Sequence, residues 1–212
     1  MGLKHQAASA RKWRTAIRQA KSHFPAHLPP LILMTDPTRI SDPLESVRRL
    51  PQHSGVIYRH FGKKQRHTEA SALRQLCRDR GLVFMIAADP LLALQTMADG
   101  VHWPERMLHQ ARAWRERFQL QTASAHSPRA IAHGVRAGMD AVIYSTVFAS
   151  QSPSAGLPTG PLRLRSLCAR RKIPIYALGG INADTAGRVS TVSGLATVSG
   201  LSAAVSDPNL DL

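Results

Sequence analysis

The stretch LQTASAHSPRAIAHGVRAGMDAVIYSTV, residues 120–147, decides the fold. Leu120–Ala125 is a strand-length run that ends at a polar loop. Ser127 before Pro128 is a helix start, an N-cap with proline at the first helical position. Pro128–Ala137 then reads as helix, and Ala141–Val147 as a second apolar, β-branched strand. A strand, a crossover helix and a strand make a parallel pair, because parallel neighbours need a long connection. The same alternation extends in both directions. Upstream strands are Leu31–Thr35, Gly55–Arg59, Leu82–Ala87 and Gly100–Trp103; downstream strands are Pro174–Leu178 and Leu195–Ser199. Helical stretches between them are Pro43–Leu50, Thr68–Arg80, Pro90–Met97, Met107–Phe118, Gly160–Arg171 and Asp184–Thr191. Eight such strands close most economically into an α/β (β/α)8 TIM barrel. A doubly wound open sheet would want a glycine-rich turn after its first strand. Asp36-Pro37-Thr38-Arg39 supplies no glycine.

The rest of the chain sets limits. Its 212 residues, 43% hydrophobic and 19% charged, can bury a core without a metal or disulfide. No apolar run approaches the ~20 residues of a membrane helix. Cys77 and Cys168 lie far apart in no CxxC pair, which suggests neither a disulfide framework nor zinc and fits a reducing cytoplasm. The formal charge of +15 predicts affinity for nucleic acid, anionic lipid or phosphorylated metabolites. Part of it is local: residues 1–28 carry Lys4, Arg11, Lys12, Arg14, Arg18 and Lys21 and no acid. Trp13, Ile17, Ala20 and Phe24 share one helix face, and Pro25, Pro29 and Pro30 stop the helix. The chain therefore divides into a basic amphipathic N-terminal helix, 1–28, and a barrel, 29–212. The helix is expected to pack its apolar stripe on the barrel; a membrane or nucleic-acid arm and a cleaved signal are the other readings.

Barrel chemistry sits at the C-terminal ends of the strands. After strand 7, Ala177-Leu178-Gly179-Gly180-Ile181-Asn182 places two glycines before a helix start, and Ser199-Gly200 follows strand 8. Glycines let backbone amides approach an anion, and a helix N-terminus adds partial positive charge, so this pair is a phosphate cup. Two tight turns would need the same glycines. His126, directly after strand 5, is the candidate acid or base. His102, after strand 4, also points upward, and Arg59 ends strand 2 as an anion ligand. Lys63 and Lys64 sit in a loop that reaches either solvent or substrate. No GxxxxGK[ST], HExxH, GxSxG or post-strand GxGxxG occurs.

Ala98-Asp99-Gly100-Val101-His102, Ser124-Ala125-His126-Ser127, Gly138-Met139-Asp140-Ala141, Val147-Phe148 and Ala177-Leu178-Gly179-Gly180-Ile181 occur in this order. Together with Thr35-Asp36 and Arg39, they resemble the thiamine phosphate synthase/TenI family of TIM barrels over roughly residues 31–203. That resemblance implies one of two activities. The synthase joins a pyrimidine pyrophosphate to a thiazole phosphate; TenI-type members aromatise a thiazole phosphate tautomer with a histidine. By match, Gly179, Gly180 and Ser199 would hold the phosphate and His126 would be that histidine. Arg59 would match the family's strand 2 arginine, with Ser124, Ser150 and Ser152 as further substrate ligands. His102, Lys63 and Arg106 form a secondary set. The family's Asn-Asp pair after strand 3 aligns instead with Ala87-Ala88, its second metal acid with Met107, and its strand 6 loop lysine with Pro153. Alanine and methionine offer no hard oxygen. Asp89 and Glu105, displaced by a residue or two, are the candidates to rebuild a Mg²⁺ site; Arg59, Arg106, Lys63 and Lys64 could neutralise pyrophosphate instead. The expected partners are small phosphorylated metabolites. A catalytically silent phosphometabolite-binding barrel is the alternative, and a basic nucleic-acid-binding protein a weaker one.

Overall fold

The computed structural model describes residues 3–62, 64–152, 155–170, 172–199 and 201. Lys63, Pro153 and Gly200 lie outside the described residues. Eight parallel strands close in sequence order: β1 Leu31–Met34, β2 Gly55–Tyr58, β3 Val83–Ala87, β4 Gly100–Trp103, β5 Leu120–Ala125, β6 Ala141–Tyr144, β7 Ile175–Ala177 and β8 Gly194–Thr197. β1 pairs with β8, Leu31 opposite Leu195 and Leu33 opposite Thr197, which completes the (β/α)8 barrel. The helices between them are α2 Pro43–Arg48, α3 Arg66–Asp79, α4 Pro90–Gln95, α5 Leu108–Ala111, α6 Pro128–Arg136 and α7 Gly160–Arg170, preceded by α1 Leu3–His23.

Local chemistry explains most element starts. Asp42, Asp89 and Ser127 each stand before a proline and accept the N–H three residues on, from Glu45, Leu92 and Ala130. Two aspartates staple the strands' entry end. Asp99 accepts from the Phe84 amide at 2.8 Å and from Arg74 at 2.9 Å. Asp140 accepts from the Gln121 amide at 2.7 Å and holds Arg115 through two bonds. Gly100 beside Asp99 is obligatory: a Cβ there would run into the Leu120 carbonyl. Cys77 and Cys168 are free thiols, and burial pushes them up to about 12 and about 11.

α1 is built into the same core. Trp13, Ala16, Ile17 and Ala20 are fully buried, and the helix packs on β8 and on the turn at Ala186–Arg188 that precedes it. Burying Trp13 and Ile17 stabilises by roughly 2–3 kcal/mol each. Phe24 continues the stripe to the entry end of the barrel, edge-on to Tyr176 with ring centroids 4.8 Å apart. The Tyr176 hydroxyl donates to the Pro29 carbonyl at 2.7 Å, so this end is closed by side chains. Among the described residues no helix is long and apolar enough to cross a membrane.

Two helical expectations are corrected. Met107–Phe118 is a broken element, 3-10 turns flanking the four residues of α5. Asp184–Thr191 is only a 3-10 turn at Ala186–Arg188. Gly187, Val189 and Thr191 disfavour helix, and α1 occupies the adjoining space: Ser190 donates to Gln19 at 2.7 Å, and its carbonyl meets His23.

Candidate functional site

The C-terminal ends of the strands open into two connected lobes. The larger, about 780 Å³, runs over β5–β8 and back to β1 and β2. Its lining includes Arg39, Arg59, His126 and the hydroxyls of Ser124, Ser145, Thr146, Ser150, Ser152, Thr197 and Ser199. Among the described residues no carboxylate lines it. The smaller lobe, about 650 Å³, lies over β2–β5 and is lined by Ala87, His102, Glu105, Arg106 and His133 among others. Met34, Arg59, Ser124 and His126 border both lobes.

The glycine pair forms the wall of the larger lobe. Gly179 and Gly180 have φ of 95° and 64°, which side-chain-bearing residues rarely adopt. Their carbonyls face away: Gly179 accepts from Phe148 N–H at 3.0 Å, and Gly180 from the Thr185 hydroxyl at 2.7 Å. The amide N–H groups of Gly179, Gly180, Ile181 and Ser199 make no hydrogen bond to another described residue. Amides without acceptors at a cavity wall suit an anion. The glycines also have a packing reason. A Cβ at Gly179 would stand 2.7 Å from Thr146 Cγ2, and one at Gly180 would meet the Ala149 carbonyl. Asn182 caps only the short turn, accepting from Asp184 and Thr185 amides. No long helix therefore adds its dipole to the cup.

Opposite the cup, Arg59 is held by the backbone. Its Nε donates to the Thr35 carbonyl at 2.9 Å, and its Nη2 stands 3.4 Å from Asp36 Oδ2. Burial lowers the Arg59 pKa from its ordinary value, Asp36 opposes that and Arg39 adds to it; the group stays a cation. Burial also works to raise the Asp36 pKa, but hydrogen bonds from Thr38, with Arg59 and Arg39, hold it below its usual value. One carboxylate thus faces two guanidiniums, and the lobe keeps net positive charge.

His126 is exposed, with Nδ1 3.1 Å from Ser145 Oγ. His102 is its opposite. Its side chain is buried, Nδ1 2.9 Å from Thr122 Oγ1 and Nε2 2.9 Å from Ser124 Oγ. Burial, then the charge of Arg59, pushes its pKa down to about 3, so the ring is neutral.

The structure thus brings His126, Arg59, Ser124, Ser150, Ser152, Gly179, Gly180 and Ser199 to one lobe and His102, Arg106 and Glu105 to its neighbour. Lys64 is exposed and lines neither. Asp89 also lies outside both. Its carboxylate bonds Arg66 Nη1 at 2.5 Å and caps Leu92 N–H at 2.9 Å. Among the described residues no three His, Cys, Asp or Glu side chains are grouped to hold a metal. A divalent cation such as Mg²⁺ does not fit this donor set, because among the described residues Glu105 is the only carboxylate lining the two lobes and Asp89 is engaged. Arg39, Thr146 and Thr197 line the larger lobe without having been singled out as ligands. Arg39 was within reach of sequence reasoning, since it follows β1 in the position where barrel chemistry gathers.

Residues 31–203 match the family model described as thiamine monophosphate synthase. The chain belongs to that family. A thiamine-phosphate synthase of Chlorobium luteolum is 30% identical over 190 residues, 85% of this chain and 88% of that protein. One from Alcanivorax borkumensis is 31% identical over 125 residues, covering 58% of each chain. The solved thiamine phosphate pyrophosphorylase from Pyrococcus furiosus superposes with a TM-score of 0.72 at 25% identity, covering 84% of this chain and 91% of that one.

Proposed function

We propose that this chain is a thiamine-biosynthesis enzyme that binds a thiazole phosphate at its barrel mouth and moves a proton on it through His126. The observation that carries this reading is the larger lobe: arginines, hydroxyls and unpaired amides, with no carboxylate among its described lining. A phosphate dianion would lie on the amides of Gly179, Gly180, Ile181 and Ser199, with Arg39 and Arg59 across from it. The ring would then extend toward Ser124 and His126. An imidazole at that edge can remove a proton from carbon and return it, typically worth ~10²–10⁴ in rate. Such an isomerisation needs no second substrate and no metal, which agrees with the family's two metal acids falling on Ala88 and Met107. The relatives' name and two free cysteines support a cytoplasmic biosynthetic role.

A synthase-type reaction is the second reading. Arg59 and Arg106 both line the smaller lobe, where guanidiniums could neutralise the pyrophosphate of a second substrate. One experiment separates the two. Purified protein is titrated with thiazole phosphate and with pyrimidine pyrophosphate, each with Mg²⁺ or EDTA, and turnover is followed with His126→Ala alongside. The isomerase reading expects EDTA to leave activity intact and the variant to lose at least ~10². Thiamine phosphate formed only with Mg²⁺, with His126→Ala nearly silent, would overturn it. Tight binding without turnover would make the chain a phosphometabolite binder.

A further inference from the structure

A line of side chains runs from the barrel core to the junction of the two lobes. The Thr122 hydroxyl lies 3.8 Å from Met85 Sδ, His102 Nδ1 lies 2.9 Å from Thr122 Oγ1, and Ser124 Oγ lies 2.9 Å from His102 Nε2. Met85, His102 and Thr122 are buried; His102 touches only the smaller lobe, and Ser124 borders both. The inner end fixes the direction of the protons. A thioether accepts but does not donate. The arrangement that uses every acceptor has Thr122 O–H donating to sulfur, Nδ1–H donating to Thr122, and Ser124 O–H donating to the bare Nε2. An imidazole that remains neutral can hold this tautomer across the ordinary pH range.

We propose that His102 is a positioning residue whose Nε2 accepts the Ser124 O–H hydrogen bond and so presents Ser124 to the ligand as a hydrogen-bond acceptor. Ser124 then does not hold an anion. It meets an uncharged N–H or O–H donor on the ligand, at the border of the lobes, while phosphate stays on the glycine amides. This assignment of the ligand contact rests on the reading of the mouth as a thiazole- or pyrimidine-phosphate site; the proton arrangement does not.

The test has a ligand-free arm. Nitrogen NMR of the full chain labelled in histidine should show His102 as the neutral Nδ1–H tautomer, unchanged between pH 5 and 8. A protonated Nε2 in the ligand-free protein would overturn the proposal. The second arm uses side chains of different reach. Glutamine at 102 can still meet Ser124, whereas asparagine places its amide nearer Thr122. Binding of thiazole phosphate and of pyrimidine pyrophosphate is measured by calorimetry for His102→Gln, His102→Asn, Ser124→Ala and the Asn/Ala double variant. Expected for at least one ligand is a loss of about three- to tenfold in Ser124→Ala, the same in His102→Asn, no further loss in the double variant, and recovery in His102→Gln. Inorganic phosphate should bind all of them alike. Equal losses in the Gln and Asn variants, or a silent Ser124→Ala beside tight wild-type binding, would overturn the positioning role. If the wild type bound neither organic ligand, the proposed function would fail, and the tautomer alone would decide the proton arrangement.

Discussion

The two halves of the barrel mouth put similar raw materials to different uses. Over β6–β8, backbone amides at the cavity wall have no partner among the described residues. Over β3 and β4, two of the polar groups are already engaged. Asp89 is tied to Arg66 and to a helix N-terminus, and His102 is sealed between Thr122 and Ser124. Binding capacity is thus set by which groups the fold leaves unsatisfied, and the count of polar residues at a strand end is a poor guide to it. An anion gains most where donors have surrendered no hydrogen bond to reach it. A cation gains little from a carboxylate that already holds a guanidinium.

The largest effect is expected at the wall of the open half. Gly180→Ala places a Cβ against the Ala149 carbonyl at a left-handed φ of 64°. Destabilisation of roughly 2–4 kcal/mol is expected from the strain and the displaced loop. Denaturant unfolding measures it. An unchanged midpoint would mean that the cup is softer than its geometry, and the contrast between the halves would weaken.

The closed half predicts a pH signature. Unfolded, His102 has an ordinary pKa near 6.5; folded, burial holds it at about 3. Above pH 6.5 both states carry a neutral ring and the histidine costs nothing. As pH falls from about 6.5 toward about 3, the unfolded chain takes a proton that the native chain refuses, so stability is lost at up to about 1.4 kcal/mol per pH unit. Between pH 7.5 and 5, wild type should therefore lose about 2 kcal/mol more than His102→Gln. Parallel losses would mean that the ring is not sealed.

Ser199→Asp returns to the open half with a smaller effect. Ser199 lines the cup and its amide has no partner among the described residues, so a carboxylate there repels a phosphate. Thiazole phosphate affinity should fall at least about tenfold, about 1.4 kcal/mol, with the unfolding midpoint unmoved. Undiminished affinity would place the anion elsewhere. This variant is a cleaner probe of the cup than a carboxylate at Gly180, where strain and charge would act together.

The strands were legible because each is a short apolar run bounded by proline, glycine or a capping residue. The tight turn after β7 was legible because two adjacent glycines behind a strand mark a left-handed backbone, here with φ of 95° and 64°. Other parts depend on contacts that distance in sequence conceals. Asp89 and Arg66 are 23 residues apart, and nothing in either segment announces the pair. The same holds for Met85 and Thr122, 37 apart. Asp99-Gly100 and Asp140 belong to the motifs that carry the family resemblance, and their contacts are those of strand staples. The helix expected at Asp184–Thr191 failed because α1, more than 160 residues earlier in the chain, packs where it would have stood. Local pattern foretold the elements; which polar groups pair off inside the mouth is settled by closure of the barrel.

The smallest expected effect separates a structural carboxylate from a ligand carboxylate at Asp89. Asp89→Asn keeps a side-chain oxygen to cap Leu92 N–H but removes the charge opposite Arg66. Both side chains are partly buried, at 31% and 19% exposure, so the pair is screened only in part. A stability loss of about 1 kcal/mol or less is expected. Ligand affinity should stay within about twofold, and the response to EDTA should match wild type. A metal ligand would behave in the reverse sense: little change in stability, a large loss of activity, and partial rescue by excess Mg²⁺. That outcome would require Asp89 to leave both Arg66 and the α4 N-terminus when substrate binds. It would also turn the closed half of the mouth into a second binding site. The unfolding midpoint and the Mg²⁺ titration of one variant therefore decide whether the two halves of the mouth differ in kind.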